Sequence, residues 1–218
     1  MTLGRHPSDE SLLRYAAGSL GAAPALVVAA HIEVCSACRA QVTKFERLGG
    51  ALLAATEREP MRADALGRAL EKLDQTPSAA PPGPIARPPR RADLGMALPT
   101  SLRDCGIGPW RWLGPGFRWS WITVPGSPGA RVMLLRGRPG LQLPAHGHTG
   151  EEFTLILKGW LFDDRGAYGP GDFDEAGADV DHQPVVGPDM ECICLAALDG
   201  DTRLHSRLGR WLRPLVGF

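Results

Sequence analysis

Through residues 1–75, apolar positions recur three and four apart in long Ala- and Leu-rich stretches with few turn signals, the spacing of amphipathic helices. Ser8 predicts an N-cap for a helix carrying Leu12, Leu13, Tyr15 and Ala16, closed near Gly18 or Gly21. A second helix has Pro24 in its first turn and runs through Leu26 and Val27 toward His31. A third begins near Cys35, and Val42, Phe45, Leu48, Leu52 and Leu53 lay one apolar stripe along it. Residues 61–75 predict a fourth, presenting Met61, Leu66, Ala69, Leu70 and Leu73.

The pattern then breaks. Residues 76–92 hold six prolines and almost no large apolar side chain, so they form no core. Such a segment is a semi-rigid, extended spacer reaching up to roughly 50 Å, and it predicts two halves that move independently. Beyond it, short apolar runs are broken by Gly and Pro, as in a β-sandwich or barrel. Phe117, Trp119 and Trp121 alternate with Arg118 and Ser120, and further runs fall at 153–157, 160–162, 172–174 and 191–198. The stretch Arg203–Leu215 reads instead as a helix, with Leu204, Leu208, Trp211, Leu212 and Leu215 on one side. The expected organisation is a helical domain over 1–75, a linker over 76–92, and a β-domain with a C-terminal helix over 93–218.

Length supports two modest domains: 218 residues exceeds one average domain and falls short of three. Charge balances at 24 basic and 24 acidic residues, which provides no overall electrostatic footprint for nucleic acid. Ser8, Asp9 and Glu10 interrupt anything resembling a signal peptide, and no apolar run approaches transmembrane length, so a cytoplasmic location is expected. In a reducing compartment a close Cys pair reads as metal-binding or redox-active rather than as a structural disulfide.

Two ligand clusters of different character stand out. His31, Cys35 and Cys38 place an imidazole at the end of one helix and a Cys-x-x-Cys pair at the start of the next; His6 completes a tetrahedron if the first helix folds back. Soft thiolates with imidazole suit a closed structural Zn²⁺ site, which stabilises a domain of about 75 residues whose core is marginal alone. His146, His148, Glu152 and His182 suit a more open site for Zn²⁺ or another divalent transition metal such as Fe²⁺ or Mn²⁺. His146 and His148, one residue apart on a strand, share a face and can both point into a barrel.

The first cluster resembles the zinc-binding anti-sigma domain, in which the spaced His and two Cys ligate zinc and a histidine near the N-terminus commonly joins them. The run Gly140-x5-His146-x-His148-x3-Glu152-x6-Gly159 resembles the first cupin motif at every spacing. Gly169-Pro-Gly-Asp172 followed by His182 resembles the second, with a longer interval than usual and Gln183–Pro184 in place of the usual downstream Asn. Together the two halves resemble the ChrR-type anti-sigma factors over nearly the whole chain. That resemblance implies a regulator, not an enzyme: the helical half restrains an extracytoplasmic-function (group IV) sigma factor, one to one. By the same resemblance, the cupin half is expected to serve its release in response to singlet oxygen or organic hydroperoxides. Neither nucleic acid nor membrane is expected as a direct partner.

An enzymatic reading competes with this one, because three imidazoles and a carboxylate in a barrel also describe metal-dependent cupin dioxygenases and isomerases. An attached zinc bundle weighs against it. Cys192 and Cys194 share one face of a strand and read as core thiols, or as redox candidates if they face the cupin lumen near the metal.

Overall fold

The protein's structure, a computed structural model, describes residues 3–75 and 94–204. Helix α1 (Asp9–Ala16) begins where Ser8 Oγ accepts the Ser11 N–H at 3.1 Å, and it ends before Gly18, whose φ of +67° is the left-handed turn a glycine supplies. Helix α2 (Ala22–Val34) carries Pro24 in its first turn. Cys35 closes α2 and caps α3 (Ser36–Ala55), its Sγ accepting the Cys38 N–H, and the two helices bend by 119° at this joint. Helix α4 (Ala65–Gln75) is shorter than the pattern predicts. Among the described residues no single helix is long and apolar enough to cross a membrane.

The second half consists of strands β1 (Gly106–Ile107), β2 (Arg111–Gly114), β3 (Phe117–Thr123), β4 (Val132–Gly137), β5 (His146–His148) and β6 (Glu151–Lys158). It continues with β7 (Leu161–Asp163), β8 (Gly166–Tyr168), β9 (Phe173–Ala176), β10 (Val185–Val186), β11 (Cys192–Asp199) and β12 (Thr202–Leu204). The main sheet runs β1-β3-β4-β11-β6-β9, with β2 on β3; β10-β7-β8 and β12-β5 make the smaller sheets, all antiparallel.

β12 corrects the expected C-terminal helix at its start. Residues 202–204 pair with His148–His146, and the unsatisfied backbone edge of β5 overrides the helical spacing of the leucines. The rest of that stretch, 205–218, and the proline-rich spacer 76–92 lie outside the described residues.

The expectation of two independently moving halves is not met. Strand β11 is buried from Cys192 to Leu198, on both faces: Cys192 and Cys194 look inward, while Leu195 and Ala197 join a core with Val27 and Val28 of α2. Helix α2 is apolar nearly all round, as a helix must be when it packs against a bundle on one side and a sheet on the other. One hydrophobic core thus runs from Leu12 through α2 to Phe153 and Phe173. At the rim the Glu33 carboxylate of α2 accepts both N–H groups at the start of a 3₁₀ turn, Thr100 and Ser101, each at 2.6 Å.

The stripe on α3 behaves differently from the pattern. Val42 is buried and Phe45 packs against the core, but Leu48, Leu52 and Leu53 are 54%, 64% and 76% exposed. In α4, Leu66, Leu70 and Leu73 are exposed as well.

Candidate metal centres

His6 lies in an extended arm before α1, His31 at the last turn of α2, and Cys35 and Cys38 at the turn into α3. The fold brings all four together: Cys38 Sγ is 3.4 Å from both His31 Nε2 and His6 Nδ1, and Cys35 Sγ is 3.4 Å from His6 Nδ1. Ligands of a tetrahedral zinc at the usual Zn–N and Zn–S lengths stand about 3.6 Å apart, so the donor set fits that ion. His31, Cys35 and Cys38 are buried and His6 is exposed, which leaves one side of the site facing solvent.

His31 is oriented from the cupin half. Its Nδ1 donates to the Gly171 carbonyl at 2.9 Å, freeing Nε2 for the ligand cluster, and its ring meets Phe173 edge-on. Burial lowers its pKa to about 4, so the imidazole is neutral and its lone pair available. Burial, with the neighbouring Cys35, pushes the Cys38 thiol up to about 12. Near neutral pH zinc must therefore displace the Cys38 proton. The apparent zinc affinity is expected to rise about tenfold per pH unit for each proton displaced, and to fall equally as pH drops; competition titrations from about pH 6 to about pH 8 measure the slope.

In the second set, His146 and His148 stand on β5, Glu152 is the second residue of β6, and His182 is drawn in from the loop after β9 by reciprocal backbone hydrogen bonds with His146. His182 Nε2 lies 3.1 Å from His146 Nε2 and 3.4 Å from His148 Nε2, and Glu152 Oε2 lies 2.8 Å from His148 Nε2 and 3.5 Å from His182 Nε2. Three imidazoles and one carboxylate at these separations fit a divalent transition metal. Burial alone would push the Glu152 carboxyl up, yet hydrogen bonds from His148 and His182 hold it well below the usual carboxylate range. The site thus keeps its single negative charge.

A third grouping of Asp163, Asp174 and His182 is also close enough to hold a cation. Its cation is the Arg165 guanidinium, whose Nη2 sits 2.7 Å from Oδ2 of each aspartate and 3.0 Å from His182 Nδ1. Sequence spacing does not reveal this cluster, because its members are scattered over β7, the β7–β8 turn, β9 and a loop.

The cavity beside the cupin set is lined by His146, Glu152, His182, Leu143, Cys192 and Cys194, among others, and measures about 50 Å³. Cys192 and Cys194 therefore face the lumen. Burial pushes the Cys192 thiol up to about 12 and Cys194 well above its ordinary value, so both remain thiols near neutrality. Substrate pockets commonly measure ~300–1,000 Å³. This lumen is small beside such pockets.

The ChrR Cupin-like domain family matches residues 102–199. Anti-sigma-E factor ChrR of Cereibacter sphaeroides is 35% identical over 214 residues, covering 98% of both chains. The chain belongs to the ChrR family of anti-sigma factors. The crystal structure of Rhodobacter sphaeroides SigE in complex with the anti-sigma ChrR is similar over 89% of this chain and 98% of that chain, at 33% identity and a TM-score of 0.68. Membership in the ChrR family places the chain with a regulator rather than with the cupin dioxygenases and isomerases.

Proposed function

We propose that this chain binds an extracytoplasmic-function sigma factor one to one in the cytoplasm, holds it away from RNA polymerase, and releases it under oxidative stress. The helical residues 1–75 restrain the sigma factor; the cupin, 93–218, senses the oxidant, singlet oxygen or an organic hydroperoxide; residues 76–92 link them. His6, His31, Cys35 and Cys38 hold zinc in the bundle. His146, His148, Glu152 and His182 hold zinc or another divalent transition metal in the cupin; the oxidisable group there is a redox-active metal such as Fe²⁺ or, with zinc, the adjoining Cys192 and Cys194 thiols.

The observation that carries this reading is the apolar face left open on α3 and α4. Leu48, Leu52, Leu53, Leu66, Leu70 and Leu73 all lie more than half exposed on two helices of a chain whose family has been crystallised with a sigma factor. Amphipathic helices with uncovered leucines are what a partner's groove takes up. Two leucines lost from such an interface remove ~3–6 kcal/mol of apolar burial. The double variant Leu52→Asp, Leu66→Asp is therefore expected to weaken sigma binding about 100-fold or more by calorimetry, with an unchanged melting temperature because neither side chain is in the core. Unchanged affinity would place the interface elsewhere.

The shared core supplies the route for the signal. His31 touches Gly171 and Phe173 directly, so a rearrangement in the cupin reaches the zinc bundle without passing through the spacer. Release asks for roughly 3–5 kcal/mol of weakened binding, an amount that loss of a structural zinc can provide.

A further inference from the structure

We propose that the Asp163–Gly166 turn couples the two ligand sets, with Arg165 as its positioning residue. The Arg165 side chain fixes the Asp163 carboxylate that faces His182 of the cupin set, while its backbone carbonyl holds the N-terminal arm that carries His6. This inference deepens the reading above and rests on both ligand sets holding metal.

On the cupin side, the Arg165 guanidinium is pinned by Asp163 through Nε at 3.0 Å and Nη2 at 2.7 Å, and by Asp174 through Nη2 at 2.7 Å. The two carboxylates are almost completely buried, so the planar fork has one orientation available. In that orientation Nη2 reaches His182 Nδ1 at 3.0 Å, and Asp163 Oδ2 stands 3.6 Å from the same nitrogen. With Nε2 turned to the ligand cluster, Nδ1 carries the proton of the neutral ring, so the acceptor facing it is the Asp163 carboxylate, which Arg165 fixes in place. This is the outer contact that orients a metal-binding imidazole.

On the bundle side, the Arg165 carbonyl accepts a hydrogen bond from the Arg5 guanidinium, which lies over the Tyr168 ring 5.0 Å from its centroid. Gly166, at φ +138°, has the backbone that admits this approach; a Cβ there would collide with Arg5. Asp172 Oδ1 accepts the N–H groups of Gly4 and Arg5 at 2.8 and 3.2 Å, and Phe173 donates its N–H to the Arg5 carbonyl at 3.2 Å. The next residue along the arm is His6. A displacement of His182 is passed to Arg165, to the turn, to Arg5 and so to a zinc ligand, through direct contacts at every step.

The test is a double-mutant cycle on the full-length, metal-loaded chain with Arg165→Met and Arg5→Met, neither of which removes a ligand. Two readouts are followed by mass spectrometry: the alkylation rate of Cys35 and Cys38, and the amide hydrogen exchange of residues 3–8. Each single variant is expected to raise both rates about fivefold, the size typical of coupling through a contiguous network. The double variant is expected to go no further than the larger single one, since both cut the same path. Arg165→Lys, which keeps the charge and loses the fork, should behave like Arg165→Met. Arg136→Met, which breaks the Glu191 ion pair on the same barrel, should move neither rate.

Effects that multiply in the double variant, or an Arg165→Met chain with wild-type rates, would overturn the coupling. Metal content of the wild-type chain separates the two readings. Fewer than two metals per chain overturns the metal assignment, and the exchange of residues 3–8, which needs no metal, still decides the coupling.

Discussion

Replacing Cys38 with serine is expected to strip the zinc from the helical bundle and to free the sigma factor without any oxidant. A serine hydroxyl does not ionise near neutrality, so the tetrahedron loses a thiolate ligand and the remaining donors lose their common tie. Cys38 is 4% exposed, at the junction of α3 with a core that continues through α2 into the cupin sheet. The disturbance will therefore not stay within the bundle. Taking about 3–5 kcal/mol for the lost link and about 2–4 °C per kcal/mol in a chain of this size, the melting midpoint should drop by roughly 6–20 °C. Metal analysis, thermal unfolding and gel filtration of the co-expressed sigma complex read the three consequences. A variant that keeps a stoichiometric, polymerase-excluding complex would show that the zinc bundle is not the restraining element.

Glu152→Gln is expected to give the opposite phenotype: the sigma factor stays bound and no longer leaves under oxidant. The amide keeps the shape of the side chain and removes the only negative charge among the four cupin donors. Glu152 is 9% exposed, accepts from His148 and His182, and is held as the anion, so its loss leaves three neutral imidazoles to hold a dication. Affinity should fall by at least about 100-fold, since even groups one step removed from a metal are worth 10–100-fold. The purified variant should carry one metal per chain, the bundle zinc, and melt roughly 5–10 °C below the wild type, since a loss of about 100-fold in affinity corresponds to ~2.7 kcal/mol. Exposed to a hydroperoxide or to a singlet-oxygen source, its complex should persist while the wild-type complex dissociates. Release with wild-type kinetics would instead locate the trigger at Cys35 and Cys38, which the exposed His6 leaves open to solvent on one side.

The helices and their joints were legible because capping and periodicity are local. Ser8, Gly18, Pro24 and Cys35 act within one turn of where they stand, and they mark both ends of α1 and α2 and the start of α3. The motif spacings around His146, His148 and Glu152 were equally local, since a strand fixes which neighbours share a face. Arg203 illustrates the limit. The leucine spacing that begins there is helical, yet residues 202–204 follow the hydrogen-bonding edge of a strand more than fifty residues away. The stripe on α3 illustrates another: its spacing does not tell a face buried within the chain from one kept for a partner, and Val42 and Leu52 take opposite fates on the same helix.

The sequence by itself determined which atoms are available to bind metal, on which local elements they stand, and to which family the motifs belong. It did so because turns, caps and strand alternation obey short-range sterics. Tertiary structure alone decided that the two ligand sets belong to one continuous core rather than to two tethered bodies. The reason is that α2 and β11 are each apolar on two faces, which states that they are covered twice but not by what. Only their packing against each other brings His31 to Gly171, the arm to Asp172, and Arg165 between His182 and Arg5.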